Sequence, residues 1–159
     1  MVYNAVVLIQ DERILAAGSR SSLPIPAGAF VIDAHGGAIL PGFINAHVHN
    51  GFDERNLAAW VRGGVTTVRD EGALGSLSTR DLMDWRDTAN QNPQNARLVS
   101  AGWMIGVPGG YGNLFVSSPE DAQVKVLAEL DAGVDLIKVS LEDGYFEITA
   151  PQFPPAFKT

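Results

Sequence analysis

Two histidines separated by a single residue form the pattern with the clearest chemical potential in this sequence. His47 and His49 end an apolar run that begins at Phe43. Alternate residues of a β-strand share one face, so the two imidazoles are expected to project together. Neutral imidazole is a good ligand for zinc and related divalent metals, and βα proteins place their chemistry at the carboxyl ends of parallel strands. The pattern favours a metal-binding pair, and the alternative is a surface strand end without a role.

Lys138 is the second candidate, because it interrupts the most apolar strand candidate of the chain, residues 134–139. Burial of an ammonium group is costly, which favours a deprotonated or a paired lysine. A deprotonated lysine can take up carbon dioxide and form a carbamate, whose anionic oxygens can bridge two metal ions. The alternative is a lysine that extends to solvent from the strand end, or that pairs with Glu142 or Asp143.

A glycine-rich loop, residues 107–113, follows the third strand candidate and contains Tyr111. It lacks the Lys-Ser/Thr ending of a phosphate-binding loop, which argues against nucleotide binding. Its backbone freedom and its tyrosine suit a substrate-facing loop, which makes Tyr111 a substrate-binding candidate. An ordinary turn is the alternative.

Three charged residues, Arg69, Asp70 and Glu71, cluster at the end of the second strand candidate. Such a cluster can support a neighbouring site or form a plain ion pair. The third histidine, His35, lies in a turn-forming stretch and is expected to be structural or exposed.

The strands and helices that must position these residues follow from the hydrophobic pattern. The first 42 residues contain only short strand candidates, over residues 3–9, 14–17 and 30–33. From residue 43 onward apolar strands alternate with helices, which is typical of βα units on a parallel sheet and predicts the α/β class. Strands are predicted over residues 43–47, 65–69, 97–101 and 134–139, and helices over residues 53–62, 78–90 and 118–132.

Two architectures use such units. An open doubly wound sheet fits 159 residues, whereas a complete eightfold βα barrel needs roughly 250 residues, so that four units make about half a barrel. A doubly wound nucleotide-binding domain also requires a glycine-rich phosphate turn directly after its first strand. The residues that follow His49 do not provide that turn, which favours the partial barrel.

Composition excludes several classes of protein. With 46% hydrophobic and 18% charged residues the chain is neither disordered nor built to span a membrane. The net charge of −7, without a basic cluster, disfavours nucleic acid and anionic membrane surfaces as partners. The chain contains no cysteine, which excludes disulfides and thiolate metal sites. The early apolar run is too short for the core of a signal peptide, so a cytoplasmic location is expected.

Four segments together resemble the amidohydrolase superfamily, near its imidazolonepropionase-like and prolidase-like members. They are VIDA at 31–34, LPGFINAHVH at 40–49, GVTTVRD at 64–70 and IKV at 137–139. The resemblance implies a metal-dependent (β/α)8 TIM barrel with a small β-sandwich built from both chain ends. Residues 1–42 would then be strands of the sandwich and residues 43–147 the first half of the barrel, with residues 148–159 as a loop or tail.

Carried onto this sequence, the resemblance implies that His47, His49 and Lys138 bind a divalent metal, with zinc as the first choice, and that Lys138 is carboxylated. The family hydrolyses amide or other C–N bonds in small molecules with a metal-activated water. Its further metal histidines and its general-base aspartate belong to later strands, and no histidine follows His49 here. We therefore expect the amino-terminal part of a hydrolase that is inactive as this fragment alone.

A non-catalytic truncated barrel that binds partners or acts as a scaffold is the alternative function. Because half a barrel has open sheet edges, we expect a homo-oligomer or completion by another chain. Under the hydrolase hypothesis, the chain is also expected to contribute to binding a small-molecule substrate. The two hypotheses differ in metal binding, which His47→Ala would weaken only if a metal site is retained.

Overall fold

A computed structural model describes residues 1–73, 75–110 and 112–140 of the chain. The chain divides into two compact units, Met1–Pro41 and Gly42–Thr159. The mixed α/β class with a parallel sheet is confirmed. Tyr111 and the predicted tail, residues 148–159, lie outside the described residues, and the roles predicted for the segments 1–42 and 43–147 stay predictions.

The first unit contains an antiparallel hairpin of β1 (Ala5–Gln10) and β2 (Arg13–Ser19). Asp11, at the reversal between them, has a φ of 54°, in the left-handed region that tight turns use. The strand predicted over residues 30–33 is wrong, because these residues have no strand assignment and no pairing partner in the described sheets. A short run of aromatic and β-branched residues favours a strand, but a strand also requires a neighbour for its backbone hydrogen bonds.

The second unit is built on a three-stranded parallel sheet in the order β3-β4-β5. The strands are β3 (Phe43–Val48), β4 (Val65–Asp70) and β5 (Arg97–Ser100), joined through α1 (Glu54–Arg62) and α2 (Thr79–Ala89). Val48 pairs with Asp70, and Asp70 pairs with Ser100. The carboxyl ends of all three strands therefore lie at the same edge of the sheet, directly beside the two histidines.

The helices begin where capping chemistry predicts. Asp53 accepts a hydrogen bond from the backbone N–H of the second helical residue of α1, and Ser78 accepts one in the first turn of α2. A third helix, α3 (Pro119–Ala132), has Ser118 as its N-cap and a proline at its first position. It ends at Gly133, whose φ of 97° is the left-handed conformation of a helix stop.

Both helices α1 and α2 pack on one face of the sheet. Leu57 of α1 is fully buried against Val68 of β4 and Leu98 of β5, and Ala89 of α2 joins the same core. Val48 of β3 also belongs to this core, so the residues on either side of it point away from the helices. This alternation directs His47 and His49 to the opposite face.

The fourth predicted strand, residues 134–139, is wrong as a continuous strand. It is reduced to a single bridge between Ile105 and Val139. Its backbone hydrogen bonds are divided between two neighbours, because the N–H of Asp135 donates to Ser100 O and the carbonyl of Lys138 accepts from Ile105. The short parallel pair β6 (Ile105–Gly106) and β7 (Leu114–Phe115) was not predicted, since two residues are too few to show a period.

Among the described residues, no helix has the length and apolar character that crossing a bilayer would require.

Candidate metal site

The two histidines lie next to each other at the carboxyl end of β3. Their ring centroids are 5.3 Å apart, and the ring planes meet at 64° in an edge-on arrangement. His47 is exposed and His49 is half-buried, while Val48 between them is 7% exposed. The i, i+2 spacing thus places two imidazoles on one face, as predicted, where both can approach one ion.

His49 has a defined partner for one of its ring nitrogens. Its Nδ1 lies 3.2 Å from the carbonyl oxygen of Gly72, in the segment that follows β4. A carbonyl can only accept, so this bond requires the proton on Nδ1 and leaves the lone pair on Nε2 free. Metal-binding histidines in proteins are commonly oriented in this way.

Asp70 is fully buried at the end of β4, where its side chain accepts hydrogen bonds from the loop that follows β3 and from the segment that follows β4. Its Oδ2 accepts the backbone N–H of Gly51 at 2.8 Å, and its Oδ1 accepts that of Gly72 at 3.0 Å. Burial raises the pKa of Asp70, and the two backbone hydrogen bonds and the nearby His49 offset part of that rise.

Glu71 is the partner of Lys138. Its side chain is 6% exposed, and its Oε2 lies 3.6 Å from Lys138 Nζ. Its Oε1 is 2.5 Å from Arg69 Nε, but the N–H of that nitrogen is directed at the carbonyl of Ala46, 2.9 Å away. Glu71 Oε1 therefore has an ionic contact but no aligned hydrogen-bond donor in the part of the chain described.

Lys138 itself is 28% exposed at the side chain. Its backbone is held by the bridge between Ile105 and Val139. The carbonyl of Lys138 accepts the N–H of Ile105, and the N–H of Ser140 donates to the carbonyl of Ile105. The alternative prediction for this lysine included a partner in Glu142 or Asp143, which both lie outside the described residues. The pairing with Glu71 was missed, although the charged cluster at the end of the second strand had been noted as a support for a neighbouring site.

Two of the three candidate ligands contact consecutive residues, Glu71 and Gly72, which follow β4. His49 binds the carbonyl of Gly72, and Lys138 pairs with the carboxylate of Glu71. His35 is elsewhere, in the first unit, with its side chain 87% exposed, as expected for a turn residue. The roles of His47, His49 and Lys138 as ligands, and of Tyr111 as a substrate contact, stay predictions.

The donor set fits a divalent metal in part. The two imidazoles suit two positions in the ligand shell of zinc or a related ion. Across residues 1–73, 75–110 and 112–140 no group of three or more histidine, aspartate or glutamate side chains is arranged to hold a metal ion. The pair can therefore begin a metal site, and further ligands are needed to complete it.

No protein-family model matches the chain. Two curated relatives are similar over short segments. One is a 5-methylthioadenosine/S-adenosylhomocysteine deaminase of Symbiobacterium thermophilum, 39% identical over 66 residues, which are 37% of this chain and 15% of the relative. The other is a 5′-deoxyadenosine deaminase of Methanococcoides burtonii, 35% identical over 75 residues, which are 43% of this chain and 17% of the relative.

A solved structure extends the likeness to most of the chain. It is a candidate prolidase from Bifidobacterium longum, with a TM-score of 0.62 and 29% sequence identity over 83% of this chain. The curated relatives are deaminases of the amidohydrolase superfamily, and the solved structure is a prolidase-like amidohydrolase, so the chain resembles an amino-terminal portion of such proteins. Amidohydrolases generally use a divalent metal. This chain spans 34% of the length of the solved structure, and less than a fifth of the length of each curated relative.

Proposed function

We propose that this chain provides the first ligands of a metal-dependent amidohydrolase that hydrolyses amide or other C–N bonds in small molecules. The observation that carries the proposal is the arrangement of His47 and His49 on one face at the carboxyl end of β3. In parallel βα proteins this edge is where reacting groups are placed. The relatives support the same chemistry, since they are named as deaminases and as a prolidase.

The proposed architecture is the first part of a (β/α)8 barrel, with residues 1–42 as strands of a small β-sandwich. Its support is that α1 and α2 share one core on one face of the sheet. Strands that are neighbours in chain order, with their helices on one face, are the arrangement that a barrel repeats around its circumference and that one half of a doubly wound sheet shares. In a barrel the opposite face, which holds His47 and His49, faces the interior.

In the proposed site His47 and His49 hold the ion, which is zinc or a related divalent metal. Lys138 is the proposed additional ligand, and Tyr111 a proposed substrate contact. Such an ion, when bound, supplies activation of a water molecule and polarisation of the bond to be broken. The carbonyl of Gly72 orients the ring of His49, whereas Lys138, which pairs with the carboxylate of Glu71, would bind the ion only after carboxylation.

We propose that the chain alone is inactive. Two imidazoles do not complete a metal shell, and the expected general-base aspartate belongs to a later strand of the family fold. Completion would come from further strands, on another chain or in a homo-oligomer, because β3 and β5 each have one neighbour among the described strands. The cytoplasm is the proposed location, on the sequence argument alone.

Native mass spectrometry with zinc, combined with activity assays, tests this proposal. We expect zinc on the wild-type chain, less zinc on His47→Ala, and no hydrolysis of 5′-deoxyadenosine or of a proline-containing dipeptide by the chain alone. Zinc-dependent hydrolysis by the isolated monomer would overturn the incompleteness. A chain that binds no zinc would overturn the metal site and favour the non-catalytic scaffold, which keeps its assembly in His47→Ala.

A further inference from the structure

Asp70 is a buried carboxylate whose two oxygens bind the two loops around His49. It is 0% exposed, and its hydrogen bonds to Gly51 and Gly72 are 2.8 and 3.0 Å long. Gly51 lies two residues after His49 in the chain, and Gly72 supplies the carbonyl that faces His49 Nδ1. The Asp70 side chain thus contacts both segments that position the His49 ring: the chain that directly follows His49, and the Gly72 residue whose carbonyl faces Nδ1.

The packing around the two glycines keeps this connection tight. A Cβ on Gly51 would lie 2.7 Å from Leu98 Cδ1 and 3.0 Å from Asp70 Oδ2, so a side chain there would force the carboxylate or the core to shift. Gly72 has a φ of 151°, and a Cβ there would lie 3.0 Å from Met104 Cε. Gly51 therefore approaches Asp70 more closely than a residue with a side chain allows, and Gly72 has a backbone conformation and a contact with Met104 that favour glycine.

We infer that Asp70 is a positioning residue for His49: by holding the Gly72 peptide it presents the carbonyl that keeps the His49 proton on Nδ1 and leaves Nε2 free. The geometry gives the reason. Asp70 Oδ1 accepts the N–H of Gly72, while the carbonyl of the same residue accepts from His49. Outer partners of this kind orient metal-binding histidines and set which nitrogen is free.

The effect of Asp70 on zinc affinity rests on the proposed function, whereas its effect on the ring proton of His49 does not. The protonation site of His49 is a property of the metal-free protein. The consequence for zinc affinity rests on His49 being a ligand. A purely structural role for Asp70 would stabilise the loops but would leave the distribution of the ring proton unchanged.

The test is a two-bond ¹H–¹⁵N correlation on metal-free, ¹⁵N-histidine-labelled protein, at a pH where the imidazoles are neutral. We expect His49 in the wild type to be protonated at Nδ1. In Asp70→Asn the amide offers one acceptor in place of two, so the Nδ1–H fraction of His49 should fall. Zinc affinity should fall about 10–100-fold, the usual cost of removing an outer partner of a metal ligand.

Asp84→Asn is the matched control, because Asp84 is exposed on α2 and its side chain has no described partner. It should leave both the ring proton of His49 and the zinc affinity unchanged. The His35 and His47 signals serve as internal references in each spectrum. Circular dichroism establishes that each variant is folded before its spectrum is compared.

The outcomes separate the inference from the proposed function. A wild-type His49 protonated at Nε2 would overturn the inference even if Asp70→Asn does not fold. An unchanged ring proton in folded Asp70→Asn would also overturn it, whether or not zinc binds. A ring proton that responds to Asp70→Asn, in a protein that binds no zinc, would support the positioning role and contradict the proposed function.

Discussion

The pairing of Glu71 with Lys138 predicts the chemical state of that lysine in the absence of metal. In the metal-free protein Lys138 should resist carboxylation, because its Nζ lies 3.6 Å from a carboxylate that is 6% exposed. A carbamate would place a negative charge beside that carboxylate. Glu71→Gln removes the charge while nearly preserving the shape, and should therefore favour the carbamate.

The size of the effect follows from the distance. Opposite unit charges 3.6 Å apart attract by about 5 kcal/mol at an effective dielectric constant of about 20. Lys138 is 28% exposed, and Arg69 also contacts the same carboxylate, so we take about half of that value, about 2 kcal/mol. Since 1.4 kcal/mol is a factor of ten, Glu71→Gln should lower the bicarbonate concentration for half-carbamylation about thirtyfold.

The assay is ¹³C NMR of metal-free protein equilibrated with ¹³C-bicarbonate, in which a lysine carbamate gives its own resonance. Lys138→Met should abolish the resonance in the Glu71→Gln background. Lys125→Met is the matched control and should retain it, because Lys125 pairs with Asp121 on the surface of α3. Equal carbamate occupancy in the wild type and in Glu71→Gln would refute the reasoning.

Three further predictions concern the residues that hold the site in place. Leu57→Ala should lower the free energy of unfolding by about 2–5 kcal/mol in urea titrations, because Leu57 is 0% exposed, whereas Leu127→Ala, at 52% exposure, should change it by less than about 0.5 kcal/mol. Gly51→Ala should cost about 1–3 kcal/mol in the same titration, since its Cβ would overlap Leu98; a variant as stable as the wild type would contradict the packing. Burial raises the pKa of Asp70 above 3.8, so its contribution to stability is full below that pH and is lost as pH rises through the folded-state pKa. The free energy of unfolding of the wild type, relative to Asp70→Asn, should therefore fall over that window, and a difference that does not vary with pH would contradict the raised pKa.

Local signals predicted the helices well. Asp53, Ser78 and Ser118, the first residues of the three predicted helix ranges, are the N-caps in the structure, because a cap depends on residues within one turn of it. The strands over residues 43–47, 65–69 and 97–101 were confirmed within one residue at each end, since each is a short apolar run between loops. The strands over residues 30–33 and 134–139 failed because pairing depends on partners that the local sequence does not contain.

The candidate site shows the same limit. The shared face of His47 and His49 follows from the period of a strand, so the sequence sufficed for it. The pairing of Lys138 with Glu71, and the hold of Asp70 on both loops, join residues that are distant in the chain. Such contacts arise only when the strand ends meet at one edge of the sheet, which local patterns do not specify.

The most direct test of the central claim is zinc binding measured by isothermal titration calorimetry on the wild type and on single histidine variants. The account predicts that His47→Ala and His49→Ala each reduce zinc affinity. It also predicts that His35→Ala binds as the wild type does, because His35 is an exposed turn residue outside the candidate site. Equal zinc affinity in all four proteins, or binding lost only in His35→Ala, would contradict the metal site.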